Sequence, residues 1–364
     1  MVDDGILLSV GNYMLSGWTT LRCTRGIERF PSDFEIGMTE LFPGQARDVV
    51  VQPGDECILT IGLDPVVTGY VDRVVPSINA GMHEIRVTGR GKCQDLLDCA
   101  AEWPSGQISN CTAADIATKL AVPYNITVNC DVAGLPIIPQ QNIMLGETAY
   151  EIIERSSRFS ALLVYEDRDG SLRLTRATTT DVMSSGVQEG VNMESASVEW
   201  SMDQRYSDIT CVMIGTNNLQ DLNAVNQPAY TIIDPNVPRF RNRIIIAEAG
   251  QLGWDVGKQR ADWEIARRAG RSRVVHLTVD NWRDVDGNLW EPNKLIDVLI
   301  PSLKVSGDQT GTVPVRYLIA EVTYHLGLEG THAELMLMVP EAFTPQPVLI
   351  QPQYGELIGT VPQQ

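Results

Sequence analysis

The 364-residue chain is 43% hydrophobic and 20% charged, with a formal net charge of −18. That length supports about two to four domains with cores of their own, and the acidity argues against nonspecific nucleic-acid binding, which needs a basic surface. No run approaches the roughly 18 uninterrupted apolar residues of a membrane-spanning helix, and the acidic start Met1-Val2-Asp3-Asp4 is not that of a secretion signal.

Residues 1–92 read as strands. Phe34, Ile36 and Met38 alternate with polar neighbours, Cys57–Ile61 repeats the pattern, and Glu84–Thr88 closes the set. Turn residues at Pro43-Gly44, Pro53-Gly54 and Gly62–Pro65 punctuate them. Residues 93–178 change character. Leu96, Leu97 and Ala100 suggest a short helix, and Thr112–Asp115 has the form of a capping box ahead of Ile116, Ala117 and Leu120. A strand is expected at Ile126–Asn129 and a second capped helix at Thr148–Glu151. A hairpin over Ala161–Tyr165 and Leu172–Arg176 turns at Asp169-Gly170. Strands resume at Val198–Met202 and Ile209–Ile214. The stretch 217–257, broken by Pro228, Pro235 and Pro238, holds one apolar strand, Ile244–Ile246. A helix over 258–269 is expected to stop at Gly270 as its C-cap. Further strands fill 274–340, and the segment from Phe343, rich in Pro and Gln, reads as an extended arm.

One pattern occurs twice. Near the start, Pro53-Gly54-Asp55 leads into Cys57, Leu59 and Ile61, then Val67–Asp72, then His83–Val87. Near the end, Pro292-Asn293-Lys294 leads into Ile296, Val298 and Ile300, then Tyr317–Val322, then His332–Leu337. Each copy is three period-two strands in one order, so two related small β-barrel modules are expected. Two copies per subunit let a three-subunit ring imitate a six-fold object, a structural role rather than a catalytic one.

Chemical motifs are few. Gly89-Arg90-Gly91-Lys92 lacks the upstream glycine of a phosphate-binding loop and runs into Cys93. His83-Glu84 has no zincin partner, and no Gly-x-Ser-x-Gly elbow occurs. His83, His276, His325 and His332 show no metal-ligand spacing to a cysteine pair. Asp284-Val285-Asp286-Gly287-Asn288 lacks a calcium loop's closing glutamate and reads as a turn braced by Trp282 and Trp290. Cysteines 23, 57, 93, 99, 111, 130 and 211 form an odd, unpaired set, for which reduced thiols are expected. No cofactor, metal or catalytic residue is expected. A basic island stands out on an acidic chain: Lys258, Arg260, Arg267, Arg268, Arg271 and Arg273 against Asp262 and Glu264. Arg260, Arg267, Arg268 and Arg271 are the candidate contacts to an acidic neighbour, the alternative being a solvated helix end.

Several runs together resemble the baseplate hub proteins of Mu-like phages, the tail proteins of the Mu P and late control D type. They are Thr68–Asp72 with Val87–Arg90, Lys92 and Asp95–Cys99, then Arg260–Glu264 with Arg268–Ser272, then Leu289–Asn293. The order is the expected one from the first strands to Val339. The resemblance extends to the hub of T-even phages and to the head of type VI secretion spikes. It implies a ring-shaped homotrimer with two barrel domains per subunit, joining tail tube to membrane-piercing spike without enzymatic activity. The partners implied are a second copy of the chain, the spike protein, and tail tube or adjoining baseplate proteins, with no specific nucleic acid and no membrane insertion. The location implied is the virion tail baseplate, after assembly in the bacterial host cytoplasm, and net negative charge suits a lumen through which DNA slides.

The expected fold is α+β and β-rich. A first β-barrel module spans 1–92 and a mixed α/β domain spans 93–178. A second module is formed by 179–216 and 274–342, an irregular insertion with the basic helix by 217–273, and an arm by 343–364. Two other functions compete. A tail-associated peptidoglycan hydrolase would need a placed carboxylate pair in 93–178, and a receptor- or carbohydrate-binding module would need Trp18, Trp103, Trp282 and Trp290 along a groove.

Overall fold

The computed structural model describes residues 4–39, 51–80, 82–213, 229–247 and 253–344. The chain opens with β1 (Ile6–Val10), β2 (Tyr13–Leu15), β3 (Thr20–Gly26), β4 (Asp33–Thr39), β5 (Glu56–Ile61), β6 (Asp64–Asn79) and β7 (Met82–Gly91). Alternation decides which face of these strands is buried. In β5, Cys57, Leu59 and Ile61 point into the core while Glu56 and Ile58 face out.

The next elements are α1 (Gln94–Asp98), β8 (Gln107–Cys111), α2 (Ala113–Ala121), β9 (Val128–Cys130), β10 (Ile138–Asn142), α3 (Ala149–Phe159), β11 (Leu163–Glu166) and β12 (Leu172–Thr175). Both capping boxes form, with Thr112 and Asp115 exchanging bonds at α2 and Thr148 and Glu151 at α3. The helices bury Ile116, Leu120, Ile152 and Ile153 in a core shared with Leu172 and Leu174. Gly170, with φ of +79°, turns the β11–β12 hairpin as its sequence requires.

This mixed region is tied to the first strands by one buried carboxylate. Glu166 at the end of β11 accepts from the backbone N–H of Cys93 at 2.7 Å and of Ser32 at 3.0 Å. Gly91 makes room for it: a Cβ there would lie 1.7 Å from a Glu166 carboxylate oxygen. Burial pushes the Glu166 carboxyl up to about 7, against the pull of the backbone donors.

The remaining strands are β13 (Val187–Gln188), β14 (Met193–Trp200), β15 (Asp208–Met213), β16 (Ala229–Ile233), β17 (Asn242–Ala247), β18 (Arg273–Val279), β19 (Leu295–Leu299), β20 (Val315–Gly327) and β21 (Gly330–Met338), with α4 (Gly253–Arg271) ahead of β18. Four differences from the sequence expectation appear here. The stretch 217–257 contains β16 as well as the expected apolar strand. The strand at 208–213, grouped above with the second module, instead pairs with β16 and β17 in a separate three-stranded sheet. Its core of Ile209, Cys211, Ile245 and Ala261 is closed by α4. The helix also runs through Gly270 to Arg271 rather than stopping there. Gly270 serves close approach instead: a Cβ would stand 2.8 Å from the backbone nitrogen of Ala342. The expected arm also starts too early: Phe343 ends a short helical turn, Pro340–Phe343, and is fully buried in a core with Tyr165 and Leu318, while the arm from 345 onward and part of the 217–257 stretch lie outside the described residues.

The repeat is deeper than three strands. In the first copy the order is β5-β6-β7-β4-β3, and in the second it is β19-β20-β21-β18-β14. Every neighbour in both runs is antiparallel. The long middle strand carries a bulge at the same place, between Val71 and Arg73 in one copy and between Ile319 and Glu321 in the other. Pairing of β3 with β20 fuses the copies into one sheet over a common core, which joins Leu8, Phe34 and Leu59 to Tyr317, Ile319 and Leu335. Trp282 and Trp290 lie within that core and brace the turn at Gly287. Trp18 is buried in the same core, so these three line no groove. All seven cysteines are free thiols, and burial raises Cys23 and Cys57 to about 12.

Candidate assembly interface

The duplicated topology exposes what is missing from one copy. In the second, one edge of β20 is covered in two halves: β19 pairs with Val315–Leu318, and β3 pairs with Glu321–Leu326. In the first, β5 covers the corresponding early half of β6, from Asp64 to Tyr70. Among the described residues no strand covers the later half, Arg73–Ile78. The second opening is β14, the counterpart of β3, which ends the sheet with one edge unpaired among the described residues.

Burial follows these vacancies. Thr323 of β20 is 9% exposed, and its counterpart Val75 is 47% exposed. Arg25 of β3 is 4% exposed, and its counterpart Trp200 on β14 is 59% exposed. Ile78 also stands out in solvent. Unpaired strand edges with apolar side chains attract further strands. Pro76 sits in the middle of the β6 vacancy and, lacking an N–H, is a residue confined to edges. Sequence reasoning missed these residues, although the apolar run Val74-Val75 continuing past the length of the facing strand β5 was a usable signal.

The basic helix lies beside the β14 edge. Arg267 donates to Glu28 at 3.0 Å and to the carbonyl of Ala342 at 3.0 Å. Arg271 binds the same Glu28 and reaches the Ala342 carbonyl at 3.2 Å. Arg268 donates to Glu264 at 2.6 Å and to the carbonyl of Gln204 at 3.0 Å. Arg260 is 3.7 Å from Glu264 and lies over the Trp263 ring at 5.1 Å. The four arginines thus come together and are engaged within their own chain. They line a groove of about 600 Å³ that includes Glu199 and Ser201 at the end of β14. Among the described residues no helix is long and apolar enough to cross a membrane.

The architecture is a duplicated antiparallel module joined to a small mixed domain. Residues 5–91 match the N-terminal domain of the Mu phage baseplate assembly protein GpP-like family, and residues 254–346 its fourth domain. Residues 93–176 match the second domain of the baseplate hub protein gp44-like family. The baseplate hub protein gp44 of Escherichia phage Mu is 31% identical over 305 residues, covering 82% of this chain and 79% of the relative. A 43 kDa tail protein of prophage MuSo2 from Shewanella oneidensis superposes with a TM-score of 0.80 at 28% identity, over 94% of this chain and 99% of that one. An Escherichia coli type VI secretion component, described as structurally similar to T4 tail proteins, shares the fold at a TM-score of 0.55 and 12% identity, over 94% of this chain and 80% of that one. The chain belongs to the Mu-type baseplate hub family.

Proposed function

We propose that three copies of this chain close into a ring by pairing the later half of β6 on one subunit with β14 on the next. The observation that supports it is the match between vacancies: β20 and β3 already make the equivalent contact inside the chain. Transferring that register sets Val74 opposite Trp200 of the partner subunit, and Ile78 opposite Ala196 of the partner subunit. Every pseudo-equivalent edge is then used, and the sheet has no open end at either site. Arg260, Arg267, Arg268 and Arg271 border this contact, because the groove they line opens next to the β14 edge.

In this reading the units of the sequence analysis serve as working units, with Asp208–Met213 moved from the second module to the insertion. The two modules form the ring, and the mixed domain 93–178 and the insertion decorate it. The ring joins tail tube to spike in the virion baseplate after assembly in the host cytoplasm. It acts by shape and contact rather than by catalysis. Light scattering on the purified chain tests the ring: about three times the 40.1 kDa subunit mass is expected. A monomer at micromolar concentration and moderate salt would refute it.

A further inference from the structure

The β20–β21 hairpin brings together two histidines and a glutamate. Its register places His325 directly opposite His332, so both imidazoles leave one face of the ladder. Strand alternation puts Glu334, two residues on, on that same face. The two rings are stacked, with centroids 5.0 Å apart and planes inclined by 16°. Nε2 of His325 is 3.4 Å from a carboxylate oxygen of Glu334. One donor atom from each of the three residues falls within a cluster no wider than 4.8 Å.

Two features separate this group from an ordinary surface pair. First, Nε2 of His325 is buried and forms no well-made hydrogen bond, its polar neighbour being the Glu334 carboxylate at 3.4 Å. A buried ring nitrogen in that condition is costly unless something binds it. Second, the backbone beneath the pair is held by a core group. The indole N–H of Trp282 is shared between the carbonyls of His325 and His332, 3.0 Å from each. Arg22, opposite His325 on β3, is committed to Asp33 at 2.6 Å and Thr24 at 3.1 Å. The first copy of the module has no such group. Its counterpart positions are Ser77, Glu84 and Arg86, where an Arg86–Glu84 ion pair at 3.6 Å occupies the place.

We propose that His325, His332 and Glu334 bind one borderline transition-metal ion of the Zn²⁺ or Ni²⁺ class, with water completing the coordination. Two imidazoles and a carboxylate form a set that zinc takes in three-ligand sites, and imidazole favours such ions over Mg²⁺ and Ca²⁺. Bonds of about 2.0–2.2 Å require the three donors to draw together from their present spread. The exposed Glu334 side chain is free of the core and supplies that movement. Because only the second copy carries the set, the stoichiometry is one ion per chain.

The test uses the full chain, treated with chelator and titrated by calorimetry with Zn²⁺, Ni²⁺ and Mg²⁺ separately. One Zn²⁺ or Ni²⁺ per chain is expected, with no response to Mg²⁺. His325→Ala and His332→Ala should each weaken binding by more than the roughly 10–100-fold loss seen when a supporting group outside a ligand set is removed. Glu334→Gln should weaken it less, and thermal melting without metal should show all three variants folded. Absence of Zn²⁺ and Ni²⁺ binding up to millimolar concentration would overturn the proposal. So would unchanged affinity in the His325→Ala/His332→Ala double variant, which would assign the ion to other donors such as the free cysteines.

Discussion

Trp200→Ser is the most informative perturbation of the proposed contact. The indole is 59% exposed at a sheet edge whose counterpart residue is almost fully covered. A tryptophan buries about 150–250 Å², so about 90–150 Å² remains for a partner to cover. At about 25 cal/mol per Å² this contributes about 2–4 kcal/mol to each subunit contact. With about 1.4 kcal/mol per factor of ten, its loss weakens each contact roughly 30- to 1000-fold. The monomer should be unaffected, because Trp200 contributes to none of the hydrophobic cores. Sedimentation velocity across a concentration series should show the variant dissociating where the unaltered chain stays assembled, while urea unfolding of the dissociated subunit keeps its midpoint. A variant that assembles as tightly as the parent would refute the use of β14 as a contact strand.

Three further outcomes follow from the interior. Glu166 has a folded pKa of about 7 against an ordinary 4.5, so its contribution is fully present below about pH 4.5 and is lost as pH rises through about 7. The loss is on the order of 3 kcal/mol. Urea unfolding at several pH values should show that slope in the parent and its removal in Glu166→Gln; equal slopes would place the group in solvent. Glu28→Gln weakens the carboxylate shared by Arg267 and Arg271 and should cost about 1–2 kcal/mol in denaturant melts, whereas no change would mean that the pairs are solvent-screened. Gly270→Ala gains helix propensity of about 1 kcal/mol, but its Cβ meets the backbone at Ala342. Overpacking of about 1–3 kcal/mol should prevail, so a variant melting above the parent would disprove the close approach.

How much of this could be read from sequence depended on whether the signal was local. The capping boxes at Thr112 and Thr148 and the Gly170 turn are satisfied by neighbouring residues, so their patterns carried over into structure. Period-two alternation likewise located β5, β6 and β7 and their counterparts. The sheet assignment of Asp208–Met213 did not follow, because its partners are set by contacts far along the chain. Gly270 misled for a related reason: a glycine before Arg271 fits a helix cap, and only the folded position of Ala342 reveals the packing constraint. The basic island was visible as composition, but Glu28, which binds two of its arginines, is more than two hundred residues away. Neither the histidine pair nor the vacancies on β6 and β14 has a sequence motif. Both arise from register between strands, which alternation alone leaves open.

Ring closure itself is tested most directly by a covalent link across the proposed seam. Six strands separate β6 from β14 within one sheet, and the transferred register makes Val74 and Trp200 of the partner subunit direct neighbours. Antiparallel neighbours lie about 4.5–5.5 Å apart at Cα, within the reach of a disulfide. The Val74→Cys/Trp200→Cys double variant, oxidised at micromolar concentration and run without reductant, should give a ladder of one, two and three chains that ends at three. Neither single variant should give it. A double variant that stays monomeric under oxidation, or a ladder that continues past three chains, would contradict the closed ring.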